Sequence, residues 1–140
     1  MKLLSYWPPY LFSGIKIFAV NEDFTKIEVR MKQHFWNTNY VGSHFGGSLY
    51  SMCDPFFMFI LLHHLPGHII WDKGAKFKFK RPGYGTVHAS FEITKDSIAQ
   101  LEKEASSGQS ISPIFFTSIK DAQGNVIFEL EKTLYLKKKI

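Results

Sequence analysis

The segment Gly46–Leu65 constrains this chain more than any other. It is almost wholly apolar, and its single charge is Asp54. It is longer than an ordinary strand and ends at Pro66-Gly67, so it reads as a helix. A helix apolar on every side must be covered on every side. Its longest unbroken apolar run, Pro55–Leu62, falls far short of the ~20 residues needed to cross a bilayer. No membrane span is therefore expected, and the cover must come from the chain itself. With 140 residues the chain is one domain. Its 45% hydrophobic and 21% charged residues suit a globular core. The 14 Phe suggest a core or ligand tunnel built from large flat side chains.

The flanking segments alternate with period 2, the pattern of half-buried strands. Ile15, Ile17 and Ala19 share a face, as do Ile27, Val29 and Met31. After the helix come Ile69–Arg81, Val87–Ile93, Ile111–Ile119 and Val126–Leu136. In the last of these Val126, Phe128, Leu130, Leu134 and Leu136 share a face. Asn37–Gly47 is a loop by its Asn, Gly, Ser and Thr content. Pro82-Gly83-Tyr84-Gly85 is a turn that joins its two strands as a hairpin. A short helix is expected at Ser97–Ser106, capped by Asp96. Residues 1–14, with Trp7-Pro8-Pro9, form an irregular lead-in, 15–137 the domain and 138–140 a basic tail. The expected fold class is α+β: an antiparallel sheet of about five to six strands wrapped around one long apolar helix.

Cys53 is the only cysteine, so no intramolecular disulfide forms, and it reads as a core residue. The N-terminus lacks the features of a signal peptide, and a cytoplasmic location is expected. The net charge of +5 favours anionic partners. Lys76, Lys78, Lys80 and Arg81 fall along one strand, as a solvated face or a docking surface for phosphates. Phe77 and Phe79 fall on the opposite face, toward the core, so aromatic and basic groups are not reachable together and nucleic acid is not an expected partner. The histidines lack a His-Glu-x-x-His pattern, and no metal site is expected. Ser48 and Ser51 lack a Gly-x-Ser-x-Gly elbow.

Asn39, the pair Gly46-Gly47, and Asp54 seven positions after the second glycine form a spaced set at the mouth of the apolar helix. With Arg81-Pro82-Gly83 between two strands, this pattern resembles the hot-dog-fold thioesterases, above all the phenylacetate-degradation type. Within that group it resembles a family bearing Asn-Tyr-Val-Gly-x-His-Phe-Gly-Gly. The resemblance runs from about Ile15 to Leu136. Phe45 stands where the pattern has His, and His44 is displaced by one position.

The resemblance implies a homodimer or dimer of dimers with clefts between protomers, and Ile69–Arg81 as the interface strand. It implies a thioester substrate carried by coenzyme A or an acyl carrier protein, with coenzyme A part of the substrate and no separate cofactor. Gly46, with Gly47, would hold the thioester carbonyl on unpaired helix N–H groups. Asp54 would act as nucleophile or general base, with Asn39 orienting the water or the carboxylate. The plain alternative is that Asp54 caps a second half-helix beginning at Pro55. His44 is either a loop residue or an acid–base group of a dehydratase-like reaction. Phe45, Lys80 and Arg81 are candidate substrate contacts. A non-catalytic acyl or acyl-CoA-binding protein is the second reading, since Phe45 or Phe56, Phe57 and Phe59 could fill the cleft.

Overall fold

The structure is a computed structural model that describes residues 1–140. Strands β1 (Ile15–Val20) and β2 (Lys26–Met31) precede helices α2 (Gly46–Ser51) and α3 (Phe56–His64). Then come β3 (His68–Phe79), β4 (Val87–Glu92), helix α4 (Lys95–Ala105), β5 (Ile114–Lys120) and β6 (Val126–Lys138). The six strands form one sheet in the order β1-β2-β4-β5-β6-β3, antiparallel at every step. Their alternation places Val29, Met31, Ala89, Phe91, Phe128 and Leu130 in the core. The helices lie across this face. The Phe91 ring sits 5.0 Å from Phe56 and 5.2 Å from Phe57, the spacing of favourable aromatic pairs. The sheet thus curls around the apolar segment, as its burial requires.

Five local expectations are corrected. The apolar segment is two helices, not one, because Pro55 has no N–H to continue the ladder and disfavours helical backbone at Asp54. α3 restarts with the Phe59 N–H donating to the Pro55 carbonyl at 3.1 Å. Pro82–Gly85 closes no hairpin, since β3 pairs with β6 and β4 lies between β2 and β5. Periodicity assigns a strand's buried face and is silent on its neighbours. The cap of α4 is Thr94, two residues before Asp96, and its hydroxyl accepts from the Ser97 N–H at 3.2 Å.

The fourth correction concerns the lead-in. Lys2–Tyr6 form a 3-10 turn and Pro8–Ser13 a helix, α1, with Pro8 at its first position, where a missing N–H costs nothing. α1 buries Tyr10 and covers one side of α3. An apolar groove of about 690 Å³ remains there, lined by Leu3, Leu4, Trp7, Pro55 and Phe59 among others. At the far end of the sheet β3 pairs only with β6, so its outer edge is open. Ile69, Trp71, Phe77 and Phe79 on this strand are partly exposed; Phe77 and Phe79 lie against Phe128 but are not buried in the core as their alternation implies, because β3 is at the sheet's edge.

Candidate functional site

The first N–H groups of a helix have no partner within it, and an N-cap side chain usually supplies one. Phe45 is the cap residue of α2 and offers no side-chain acceptor, so the Gly46 and Gly47 N–H groups are left without one in the chain. Both glycines sit under aromatic rings. A Cβ on Gly46 would stand 3.0 Å from the Phe79 ring, and one on Gly47 would stand 2.6 Å from Phe45. Any larger residue would push these rings off the helix start.

The loop before α2 is tied by Asn39. Its Oδ1 accepts from the Val41 and Ser43 N–H groups, and its Nδ2 donates to Ser43 Oγ and the His44 carbonyl. Asn39 therefore shapes the loop, and its polar atoms are not turned to Asp54. His44 is buried, and its Nε2 donates to the Gly85 carbonyl at 2.6 Å, which pins the β3–β4 connection to this loop. Its Nδ1 is buried without a partner. Burial holds the imidazole below its usual pKa, so His44 is neutral at pH 7. A cavity of about 480 Å³ opens here. Asn39, His44, Gly46, Phe79, Lys80 and Arg81 line it. Lys80 is bound only loosely, 4.0 Å from Glu129.

Asp54 lies elsewhere, in the break between α2 and α3. The Tyr10 hydroxyl donates to its backbone carbonyl. Its carboxylate Oδ1 accepts from Lys132 Nζ at 2.9 Å. That ammonium also donates to the Tyr50 hydroxyl at 3.0 Å and stands 3.5 Å from Asp72 Oδ1. The side chain of Lys132 is 2% exposed, that of Asp72 22% and that of Asp54 45%. Burial opposes the charge on Asp54, but hydrogen bonds from Asp72 and Lys132 and the lysine's charge outweigh it and hold the carboxyl below the usual range. Burial, with the Asp54 carboxylate beside it, pushes Asp72 up to about 7. Asp72 Oδ1 is buried without a hydrogen-bond partner, and its nearest charge is the Lys132 ammonium. Cys53 is buried beside them, and burial pushes its thiol well above the usual range, so it stays neutral.

Within one chain the fold therefore gathers Asn39, His44, Gly46, Lys80 and Arg81 around one cavity and sets Asp54 in a separate cluster. Phe45 and Gly47 flank the cavity at the helix start. Lys132 and Asp72 escape sequence reasoning, for different reasons. Lys132 holds the period-2 position between Leu130 and Leu134 on the buried face of β6, so its place in the alternation was the available signal. Asp72 is hidden by the register shift between Asp72 and Gly74, which breaks the alternation of β3 just beyond it.

A six-stranded antiparallel sheet in this order, curled around a central helical segment with a glycine pair at its start, defines a hot-dog-fold protein. Over residues 2–136 the chain matches the domain of unknown function DUF4442, and it belongs to that family. It resembles a Pseudomonas aeruginosa protein of unknown function described as a probable thioesterase, with a TM-score of 0.86 at 20% identity over 98% of this chain and 92% of that one. A Haemophilus influenzae thioesterase is similar at TM-score 0.71 and 15% identity, covering 98% and 87% of the two chains. The PaaI protein of the E. coli phenylacetic acid degradation operon is similar at TM-score 0.65 and 18% identity, covering 99% and 91%. These likenesses establish the fold. No curated protein matches the sequence. No helix is long and apolar enough to cross a membrane.

Proposed function

We propose that the protein is an acyl-CoA thioesterase acting in a cleft between two protomers, in the cytoplasm. The observation that carries this reading is Asp54, the one carboxylate in the apolar core segment, held ionised and partly open at a break between two helices. The thioester carbonyl sits on the Gly46 N–H, with the Gly47 N–H beside it. Lys80 and Arg81 meet the phosphates of the carrier at the cavity mouth. The open edge of β3, with its partly exposed Trp71 and Phe79, pairs with its copy in a homodimer or dimer of dimers. That pairing brings Asp54 of the partner subunit toward the cavity.

In the general-base route, water oxygen attacks the thioester carbon and one water proton passes to Asp54. The carbonyl electron pair moves to oxygen, where the helix N–H groups stabilise it. On collapse the C=O re-forms, the C–S bond breaks, and the proton passes from Asp54 to the thiolate. The products are a carboxylic acid and a free thiol. In the nucleophilic route an Asp54 oxygen attacks the thioester carbon and the C–S bond breaks, releasing the thiolate; water then cleaves the acyl-enzyme anhydride, which frees the carboxylic acid and restores the Asp54 carboxylate, and the remaining water proton goes to the thiolate.

Non-catalytic acyl or acyl-CoA binding is a second reading, favoured by the Phe45 and Phe79 rings over the two glycines. Dehydratase chemistry receives no support, because His44 is buried and its Nε2 is committed to Gly85. The deciding experiment is thiol release from acyl-CoAs, from acetyl to palmitoyl and phenylacetyl, with Asp54→Asn alongside. Release that falls about 10²–10⁴-fold in the variant supports hydrolysis with Asp54 in the chemistry. No release from any member of the panel, with acyl-CoA still raising the melting temperature, moves the protein to the binding class.

A further inference from the structure

We infer that Lys132 is a positioning residue for Asp54, fixing the carboxylate's orientation from behind, with Asp72 as the ammonium's second carboxylate neighbour. This rests on the reading of Asp54 as the reactive carboxylate. The inward positions of β6 around Lys132 are Phe128, Leu130, Leu134 and Leu136, all buried. A leucine at position 132 would continue that face, whereas a buried ammonium costs several kcal/mol unless it is paired. Its partners arrive from three separate elements: Tyr50 from α2, Asp54 from the helix break and Asp72 from β3 beside its register shift.

The arrangement is graded toward solvent. Lys132 is sealed, Asp72 is mostly covered and Asp54 is about half open, so only Asp54 can meet a ligand. Lys132 holds one oxygen of that carboxylate at 2.9 Å, and the orientation of the other follows. A carboxylate held this way pays little conformational entropy when it acts. The other titratable groups facing the pair are Tyr10 from α1, Tyr50 from α2 and Cys53 from the break. Burial raises Tyr10 and Cys53 far above neutrality, so neither supplies charge at pH 7. Lys132 is thus the cluster's only cation, set 2.9 Å from Asp54 Oδ1 and 3.5 Å from Asp72 Oδ1.

The test combines carboxyl 13C NMR titration of Asp54 and Asp72 with the pH profile of kcat/KM for thiol release. Wild-type protein, Lys132→Met, Lys132→Arg and Asp72→Asn are compared. Loss of the lysine charge should raise the Asp54 titration by about one to three pH units, the size a neighbouring cation exerts. The acid limb of the rate profile should move with it, and kcat should fall more than KM rises. Lys132→Arg should restore most of the shift, and Asp72→Asn should remove the upper carboxyl titration. An Asp54 titration that stays in place in both Lys132→Met and Asp72→Asn overturns the inference. So does an acid limb that stays in place while hydrolysis persists. If Lys132→Met does not fold, Lys132→Gln, which keeps a hydrogen-bond donor without the charge, makes the same comparison. If wild type cleaves no acyl-CoA yet the titrations shift as expected, the coupling of the three residues holds, while the catalytic reading of Asp54 and the positioning role built on it fail.

Discussion

An ammonium on the apolar face of a sheet is tolerable only with its counter-charges in place. Removing one member of a fully buried pair costs about 3–5 kcal/mol, and less here because Asp54 is half open. Lys132→Met is therefore expected to lower Tm at pH 8, and Lys132→Met with Asp72→Asn to recover part of the loss, because the second change removes a stranded carboxylate. Thermal melts of the two variants check this. Asp72 also sets a pH dependence. Its folded pKa of about 7 lies above its unfolded value, so the folded state holds a proton that the unfolded chain has released. Its contribution is complete below about pH 4 and fades as pH rises through about 7. His44 works in the opposite sense, since its folded pKa is lowered and stability grows as pH rises toward 6.5. The measurement is therefore a difference: between pH 4 and 7.5 the Tm of wild type should fall relative to that of Asp72→Asn. Of these side chains, Asp54 was legible in the sequence because a lone charge stands out in an apolar run. Lys132 was less so, since a lysine among leucines reads as an interruption of the pattern.

The division of the apolar segment into α2 and α3 is what turns a core residue into a reachable one. In an unbroken helix Asp54 would be hydrogen-bonded into the ladder and packed on all sides; at the break its carboxylate meets both Lys132 and solvent. Tyr10 secures the break from outside through its hydroxyl bond to the Asp54 carbonyl. Tyr10→Phe should cost about 0.5–1.5 kcal/mol by denaturant unfolding, the net value of one such bond. It should also lower thiol release without changing the acyl-chain preference. Thr94→Ala, which removes only the α4 cap, should cost about 1 kcal/mol and leave thiol release unchanged. The helix and all the strands were legible as elements. The break was foreshadowed by Pro55, but the bond from Tyr10 joins residues 44 positions apart, and local pattern carries no trace of it.

For the whole molecule the open edge of β3 decides most. A long edge strand with one side unpaired and with partly exposed Ile69, Trp71, Phe77 and Phe79 is a pairing surface that a monomer would leave as an aggregation hazard. Sedimentation should therefore give a dimer or tetramer. On the proposed two-chain cleft, Trp71→Glu should weaken the assembly and make specific thiol-release activity rise with protein concentration. A monomer with full activity would remove the two-chain cleft from the mechanism. Within one chain Gly46 with Lys80 and Arg81 stand at one place and Asp54 with Lys132 at another.

Burial logic read from the sequence was sufficient for the class of fold, the number of strands and the faces that β2, β4 and β6 bury, because period and apolarity are local properties, but not for the second half of β3, where Phe77 and Phe79 stay exposed. The glycine pair, the loop Asn39–His44 and Asp54 were visible for the same reason: each is a departure from its immediate surroundings. Only the tertiary structure decided that β3 pairs with β6, that His44 anchors to Gly85 and that Lys132 lies against Asp54. Those are contacts between distant segments, selected by the mutual fit of whole faces, and one residue's neighbours along the chain do not encode them.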